Sequence, residues 1–416
     1  MKKYGAYKPS GVDWIGEVPM GWEECRFKNF LTLINKPAIG GCKIGLENIE
    51  SGSGKFIPSD SEFEGNGVEF ISNDIVYGKL RPYLMKVWVA EFAGNAVGDF
   101  FVFRVKENAN PDFIKYLILS DGFTKEADGA TEGAKMPRVS SDFILTLRYF
   151  LPSKEEQTAI AAYLDAKCAK IDNVVAVQQK RIELLKELKQ SIITHAVTKG
   201  LDKNAKMKPS GVEWIGDVPE GWEIKKIKHN FRIYAGATPK TENSSYWDGD
   251  IVWITPADYK TNDKFIMQGE RNITKEGYNS CNTQIVPKGS IIFSKRAPIG
   301  TVALNGVELC TNQGCLSCVP MQADSLYFYY VISICTEMFD MLGSGATFKE
   351  ISADTFANVK FPVPSLVEQT AIAAYLDKKC AAIDRQISKI EKQIELLKEY
   401  KQSVITECVT GKRKVC

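Results

Sequence analysis

A direct repeat carried on two different offsets constrains this chain more than any other feature. Residues 8–22 read KPSGVDWIGEVPMGW and residues 208–222 read KPSGVEWIGDVPEGW, an offset of 200 with three differences. Residues 156–172 (EQTAIAAYLDAKCAKID) return at 368–384 (EQTAIAAYLDKKCAAID), an offset of 212 with two differences. The second offset continues through IELLKE at 182–187 and 394–399. It also runs backwards: Gly133-Ala134, Val139-Ser140 and Asp142 fall opposite Gly345-Ala346, Ile351-Ser352 and Asp354. A repeat of this kind sets the architecture and is read before anything else. Between the repeated blocks, residues 23–130 and 223–340 share little sequence. Two nearly identical frames therefore hold two unlike inserts. The frames do one job twice, and the inserts do two different jobs.

Residues 155–198 have the pattern of one long helix. Pro152 and Ser153 mark its start, Glu155 and Glu156 sit in the first turn where the helix dipole favours them, and Gly200 marks its end. At ~1.5 Å per residue it is about 65 Å long. The second copy starts after Pro364-Ser365 and runs to about Thr410, before Gly411. In it Ile383, Ile387, Ile390, Ile394, Leu397, Val404 and Cys408 follow steps of four and three, with Lys401 in the one polar slot. The matching line in the first helix is Ile171, Val175, Gln178, Ile182, Leu185, Lys189, Ile192 and Ala196. This is a coiled-coil seam. Two such helices in one chain bury their seams most simply against each other; the alternative is that each packs on its own globular domain. Antiparallel pairing would put the inserts at opposite ends of the pair and the N-terminus near the end of the second helix.

Both inserts read as mainly β with some helix. Strands are expected at residues 74–77, 99–105, 251–254 and 290–293, and helices at 111–120 and 325–342, with Gly, Asn, Ser and Pro between them. In each insert an aromatic-ended strand runs into a small residue, a lysine, an arginine and a nearby proline. These are Tyr77 to Lys79, Arg81 and Tyr83, and Phe293 to Lys295 and Arg296. A rigid turn of this kind can offer a guanidinium fork to guanine or to phosphate, whereas an ordinary surface turn would simply solvate the two cations. A second cluster precedes each long helix: Gly133 to Lys135 and Arg138, and Gly345 to Thr347 and Lys349. Glycine permits close backbone approach and the cations suit phosphate. The second insert adds Thr238, Lys240, Tyr246, Trp247, Asn312 and Gln313; amides of this kind read adenine, but they also build turns.

The net charge is only +2, so a nucleic-acid surface has to be a local patch. The balance of 44% hydrophobic and 25% charged residues is that of a soluble globular chain. No apolar run is long enough for a membrane span, and the N-terminus lacks the apolar core of a signal peptide. Eleven scattered cysteines do not resemble a secreted framework, so the cytoplasm is the expected location. Catalytic signatures are missing. Gly52-Ser53-Gly54-Lys55 fails as a phosphate loop, because Ile49 stands where the first glycine belongs and Phe56 follows the lysine. No Asn-Pro-Pro-aromatic motif for amino-methyl transfer is present. Cys315 and Cys318, with Cys310 nearby, lack a second ligand pair, and the only histidines are His195 and His229; buried strand cysteines are the better reading.

With these residues in view, the whole chain resembles the type I restriction enzyme specificity subunits. The likeness rests on WIGEVPMGW and WIGDVPEGW, on YGKLRPYL and GAKMPRVS, on TPKTENSSYWDGDIVWITPADY, SKRAPIG and TNQG, and on EQTAIAAYLD after each proline-containing strand. The resemblance implies an α+β fold of two mainly-β target recognition domains, separated by two long antiparallel coiled-coil helices in an internal pseudo-two-fold repeat. The expected divisions are 1–152 and 201–364 for the recognition domains, and 153–200 and 365–416 for the spacer helices. It implies that each domain reads one half of an asymmetric double-stranded DNA site. It further implies that two modification (methyltransferase) subunits, and then restriction (translocase and nuclease) subunits, assemble on the chain. S-adenosylmethionine, ATP and magnesium would be used by those partners, and no cofactor or metal is expected on this chain. The competing readings are a coiled-coil scaffold that binds no DNA, and a fused methyltransferase or nuclease.

Overall fold

The computed structural model describes residues 3–38, 40–259, 263–296, 298–345 and 349–415. The chain forms two compact units, residues 1–179 with 390–416, and residues 180–389.

In the first unit Tyr7–Pro9 and Glu17–Pro19 form a hairpin, and Glu23–Arg26 pairs antiparallel with Arg148–Leu151. The insert is thus clamped where it leaves the frame and where it returns. Inside the clamp a sheet runs in the order Leu31–Ile34, Phe100–Val105, Ile75–Gly78, Val87–Val89. A smaller sheet follows the order Lys43–Ile44, Gly94–Ala96, Val68–Phe70. The main sheet is buried on both faces, which is why residues 100–105 read as a nearly continuous apolar run. Successive side chains alternate between two cores, as strand geometry demands. Ile75, Tyr77 and Phe103 join Phe113, Phe123 and Tyr149 in one, while Val76, Trp88 and Val102 join Phe70 and Ile44 in the other.

The second unit repeats this plan with different residues. Met207–Pro209 pairs with Asp217–Pro219, and Glu223–Lys226 with Lys360–Val363. Its main sheet runs Phe231–Ala235, Cys315–Pro320, Ile291–Ser294, Val302–Asn305, Phe265–Ile266. The first four strands stand in the same order as in the first unit, so inserts with little common sequence share one topology. The expected single helix at 325–342 is two helices, Ser325–Ser333 and Thr336–Leu342. Between them Cys335 leaves the helical conformation, and its side chain is buried in the core.

The frames are the long helices Lys154–Lys199 and Leu366–Val409. Each unit holds one half of each. The repeated EQT motif fastens each helix start to its own insert. Buried Gln157 donates to Pro152 O (2.9 Å) and Asn108 O (3.1 Å) and accepts from Asn110 N (2.8 Å). Gln369 does the same with Pro364 O (2.9 Å) and Asp324 N (2.9 Å). About two turns later Tyr116 and Tyr330 each donate to the aspartate of the AAYLD segment, Asp165 and Asp377, at 2.6 Å. The frame sequence recurs because it is a docking surface for the insert.

Within each unit the helix halves are antiparallel. In the first, Arg413 Nη1 donates to Tyr163 Oη, Lys167 lies over Tyr400, and Lys401 Nζ donates to Asp172 Oδ1 at 2.7 Å. In the second, Lys189 Nζ donates to Asp384 Oδ1 at 2.7 Å. Lys189 and Lys401 are repeat equivalents, as are Asp172 and Asp384. The polar seam position common to both copies is therefore answered by the opposite helix in both units. Such a pair selects register and direction more than it adds stability. Lys401→Glu is expected to lower stability by on the order of 1 kcal/mol. Asp172→Lys added to it should restore the loss in thermal unfolding; two additive losses would contradict the pairing.

In the seam, Ile171, Ile383, Ile387, Ile390, Ile394 and Val404 are buried, while Val175, Ile182, Leu185, Ile192 and Leu397 are half-buried. At the C-terminal end, Cys408 and Val409 enter the core of the first unit and Val409 O accepts from Tyr149 Oη. Gly411, at φ 72, lies so close to the N-terminal hairpin that a Cβ there would stand 3.2 Å from the Trp22 ring. Gly200, at φ 74, stands in the same relation to Trp222. The left-handed conformation at a helix end favours glycine; the tryptophan crowds both positions, and at Gly411 the Pro19 ring closes the space that an added Cβ would need.

Candidate nucleic-acid interface

The two cation clusters of each insert, far apart in sequence, come together at one edge of its main sheet, the one formed by the ends of two inner strands. In the first unit Lys79 N donates to Asp99 O (2.9 Å), Arg81 N to Pro137 O (2.8 Å), and Val139 N to Lys79 O (3.2 Å). In the second, Lys295 N donates to Gly314 O (2.9 Å) and Ile351 N to Lys295 O (3.0 Å). A bridge between Glu132 and Arg138 in one unit is matched by one between Ser344 and Glu350 in the other. These bonds make Lys79 equivalent to Lys295, Leu80 to Arg296, Arg138 to Glu350 and Asp99 to Gly314. The two loops therefore differ from the sequence alignment of Lys79–Arg81 with Lys295–Arg296. Arg81 has no counterpart in Arg296, because backbone register overrides the likeness of the loops.

Most of these cations are held by carboxylates. Arg138 binds Asp99 through Nε (2.8 Å) and Nη2 (2.9 Å), and Lys79 Nζ stands 4.0 Å from the same carboxylate. Bonding to Arg138, with the charges of Arg138 and Lys79, outweighs desolvation and holds the Asp99 carboxyl below its ordinary range. In the second unit Glu350 takes Lys295 Nζ on Oε1 (2.6 Å) and Arg296 Nε on Oε2 (2.5 Å). Burial pushes the Glu350 carboxyl up, but the bonds and charges of the two cations prevail and lower it. Lys349 is paired with Asp340 at 2.6 Å.

The remaining candidates fall into distinct groups. Arg81, Tyr83, Lys135 and Lys240 are exposed, and the Arg81 side chain has no bonding partner among the described residues. Arg81 adopts φ 53, rare for a non-glycine residue, fixed by its bond to Pro137 and by the following Pro82. Thr238 Oγ1 donates to Oε1 of exposed Gln313, while Asn312 Oδ1 caps Gly314 N at 2.8 Å and is a turn residue. Tyr246 is half-buried. Trp247 does not reach the surface: it is buried edge-on to Trp253 at 5.2 Å with Arg271 over its face, because its strand joins a second small core. Thr347 lies outside the described residues.

Asp99, Glu350, Gln157 and Gln369 were not legible as site residues from spacing. One signal exists for the acids, since the offset of 212 sets Glu350 opposite Arg138, a reversal of charge. Cys310, Cys315 and Cys318 are fully buried on two strands, and burial pushes the Cys315 thiol up to about 12. Among the described residues no group of His, Cys, Asp and Glu could hold a metal ion, and no helix is long and apolar enough to cross a membrane.

Known proteins resemble this chain over parts and over the whole. The family model for the type I restriction modification DNA specificity domain matches residues 219–396. The MjaIX type I restriction enzyme specificity subunit of Methanocaldococcus jannaschii is 38% identical over 44% of this chain, so the match spans only 43% of that relative. The putative MjaX specificity subunit of the same organism is 26% identical and matches over 96% of both chains. A chain from a solved assembly of the type I R-M system superimposes with a TM-score of 0.78 at 19% identity, covering 94% of this chain and 98% of that one. The HsdS subunit from Thermoanaerobacter tengcongensis gives 0.55 at 20% identity, covering 95% and 98%.

Proposed function

The chain belongs to the family of type I restriction enzyme specificity subunits, and from this we propose that it reads a bipartite DNA target without performing chemistry on it. Each insert is a recognition domain for one half-site. The divisions are 1–152 and 201–364 for the readers, and 153–200 and 365–416 for the spacer helices, which set the gap and dock the modification subunits. Those partners would bind S-adenosylmethionine and methylate adenine in the cytoplasm. Restriction subunits using ATP and magnesium would complete the assembly.

The observation that carries this reading is a contrast. One sheet topology brings cations to one sheet edge in both units, yet the residues at that edge differ. Repeated scaffolds with unlike reading edges fit an asymmetric site, because base contacts specify while shared backbone contacts position. Arg81, Lys135 and Lys240 are the exposed cations suited to phosphate, and Gln313, its amide held by Thr238, offers a hydrogen-bonding edge.

Mapping methylated adenines in DNA from cells expressing this chain with a modification subunit tests the proposal. One asymmetric, interrupted motif is the expected result. No methylation, or an uninterrupted palindrome, would refute it. Adding a helical turn after Val177 should change the gap between the halves and leave their bases unchanged; a constant gap would refute the spacer role.

A further inference from the structure

Both reading edges contain the same three-residue charge cluster, built from different places in the chain. In the first unit it is Lys79, Asp99 and Arg138; in the second it is Lys295, Glu350 and Arg296. The lysines occupy equivalent backbone positions, but the acid and the arginine do not. The arginine of the first cluster sits where the second has its glutamate. The acid of the first sits where the second has glycine. Two sequences with little in common have reached one lysine, one carboxylate and one arginine at one spot with the carboxylate and the arginine drawn from different backbone positions.

Exposure separates the roles. The lysines are the more shielded partners, with side chains 29% and 12% exposed, whereas both arginines are 43% exposed. One negative and two positive charges leave each cluster at +1. Two cations share one carboxylate, so neither is fully neutralised, and the guanidinium is the cation of each cluster that is more open to solvent. The bonds also leave part of each guanidinium free. Arg296 is held by Nε alone, so its Nη1 and Nη2 have no partner among the described residues; Arg138 keeps Nη1. A plain structural ion pair would not need the second cation.

We propose that Asp99 and Glu350 are positioning residues, each holding one arginine, Arg138 or Arg296, at the sheet edge to meet an acceptor on DNA. A guanidinium tied down on one side loses less rotamer entropy when the other side binds, and its fork is aimed before DNA arrives. The first unit's partner to Arg296 is then Arg138, and Arg81 acts separately. This rests on the DNA-reading function proposed above.

The test uses the full chain in complex with its modification subunits. The probes are duplexes carrying the mapped methylation motif, with single-base changes in one half or the other. Asp99→Asn should reduce discrimination in one half-site roughly tenfold or more and leave the other half intact, and Glu350→Gln should do the reverse. Asp99→Asn combined with Arg138→Ala should match Arg138→Ala alone to within about twofold. Wild-type discrimination in both acid variants overturns the proposal. So does a loss that multiplies with that of Arg138→Ala, or an equal loss at both halves accompanied by a lower thermal midpoint. Should Asp99→Asn fail to fold, Arg138→Lys keeps the charge without the fork, and its undiminished discrimination overturns the proposal equally. A wild-type complex that prefers no duplex would instead bring down the DNA-reading function itself.

Discussion

Leu396→Asp is expected to strip one of the two proposed modification subunits from the complex, and Leu184→Asp the other, each weakening its contact by roughly thirtyfold or more. The argument starts from the helices. Leu184 and Leu396 are repeat equivalents, as are Leu188 and Tyr400, and all four are exposed and lie outside the seams of their helices. Large apolar side chains left in water at the same positions of two copies fit the proposed docking of one kind of partner twice. An aspartate there places an unpaired charge in the buried centre of a contact, which is costly, while in the free chain the substitution is on the surface and nearly neutral. Mass measurement of the reconstituted complex distinguishes two, one and no bound subunits. Full occupancy in the Leu184→Asp, Leu396→Asp double variant would rule the surface out, and a lowered thermal midpoint of the free chain would mean these leucines pack internally.

Trp222→Ala is expected to destabilise the second unit by about 3–5 kcal/mol, and Trp22→Ala the first by a similar amount. Each ring is fully buried and holds three segments at once. The Trp222 indole N–H donates to Glu368 Oε1 at 2.9 Å at the start of the second helix, and its ring lies against Gly200 at the end of the first. Trp22 donates to Glu156 at 3.3 Å and lies against Gly411. Removing either ring opens a cavity where a helix start, a helix end and a hairpin converge; in the second unit it also takes the indole donor from Glu368, whereas Glu156 keeps the Tyr4 hydroxyl as a donor. Denaturant unfolding followed by circular dichroism measures the loss. A change below about 1 kcal/mol would show that the hairpin is not a fastening.

How much of this was legible depended on whether a feature is local. Helix limits at residues 155–198 came within a residue or so of Lys154–Lys199, because apolar period, acidic first turn and terminal glycine are all properties of neighbours. The β-rich inserts were legible for the same reason. The equivalence of Lys79 with Lys295 was not, because it is set by backbone bonds between loops some sixty residues apart, whereas the offset of 212 already sets Arg138 opposite Glu350. Trp247 illustrates the limit from the other side. Its neighbours Tyr246 and Asp248 suggest a surface turn, yet a strand paired to Asn272–Ile273 draws its ring into a core.

The amino-acid sequence by itself determined the duplication, the two seams, the unlike inserts and the resemblance to the specificity subunits, since each is a pattern along the chain or a match of residues. The tertiary structure alone decided that the unlike inserts share one sheet order, and that a glutamine and a tryptophan in each frame lock helix to insert. It alone decided that the cations of each reading edge are gathered around one carboxylate. The reason is physical. An antiparallel sheet satisfies its backbone bonds with many sequences, so topology survives when side chains change, whereas a charge cluster depends on which strands that topology brings side by side.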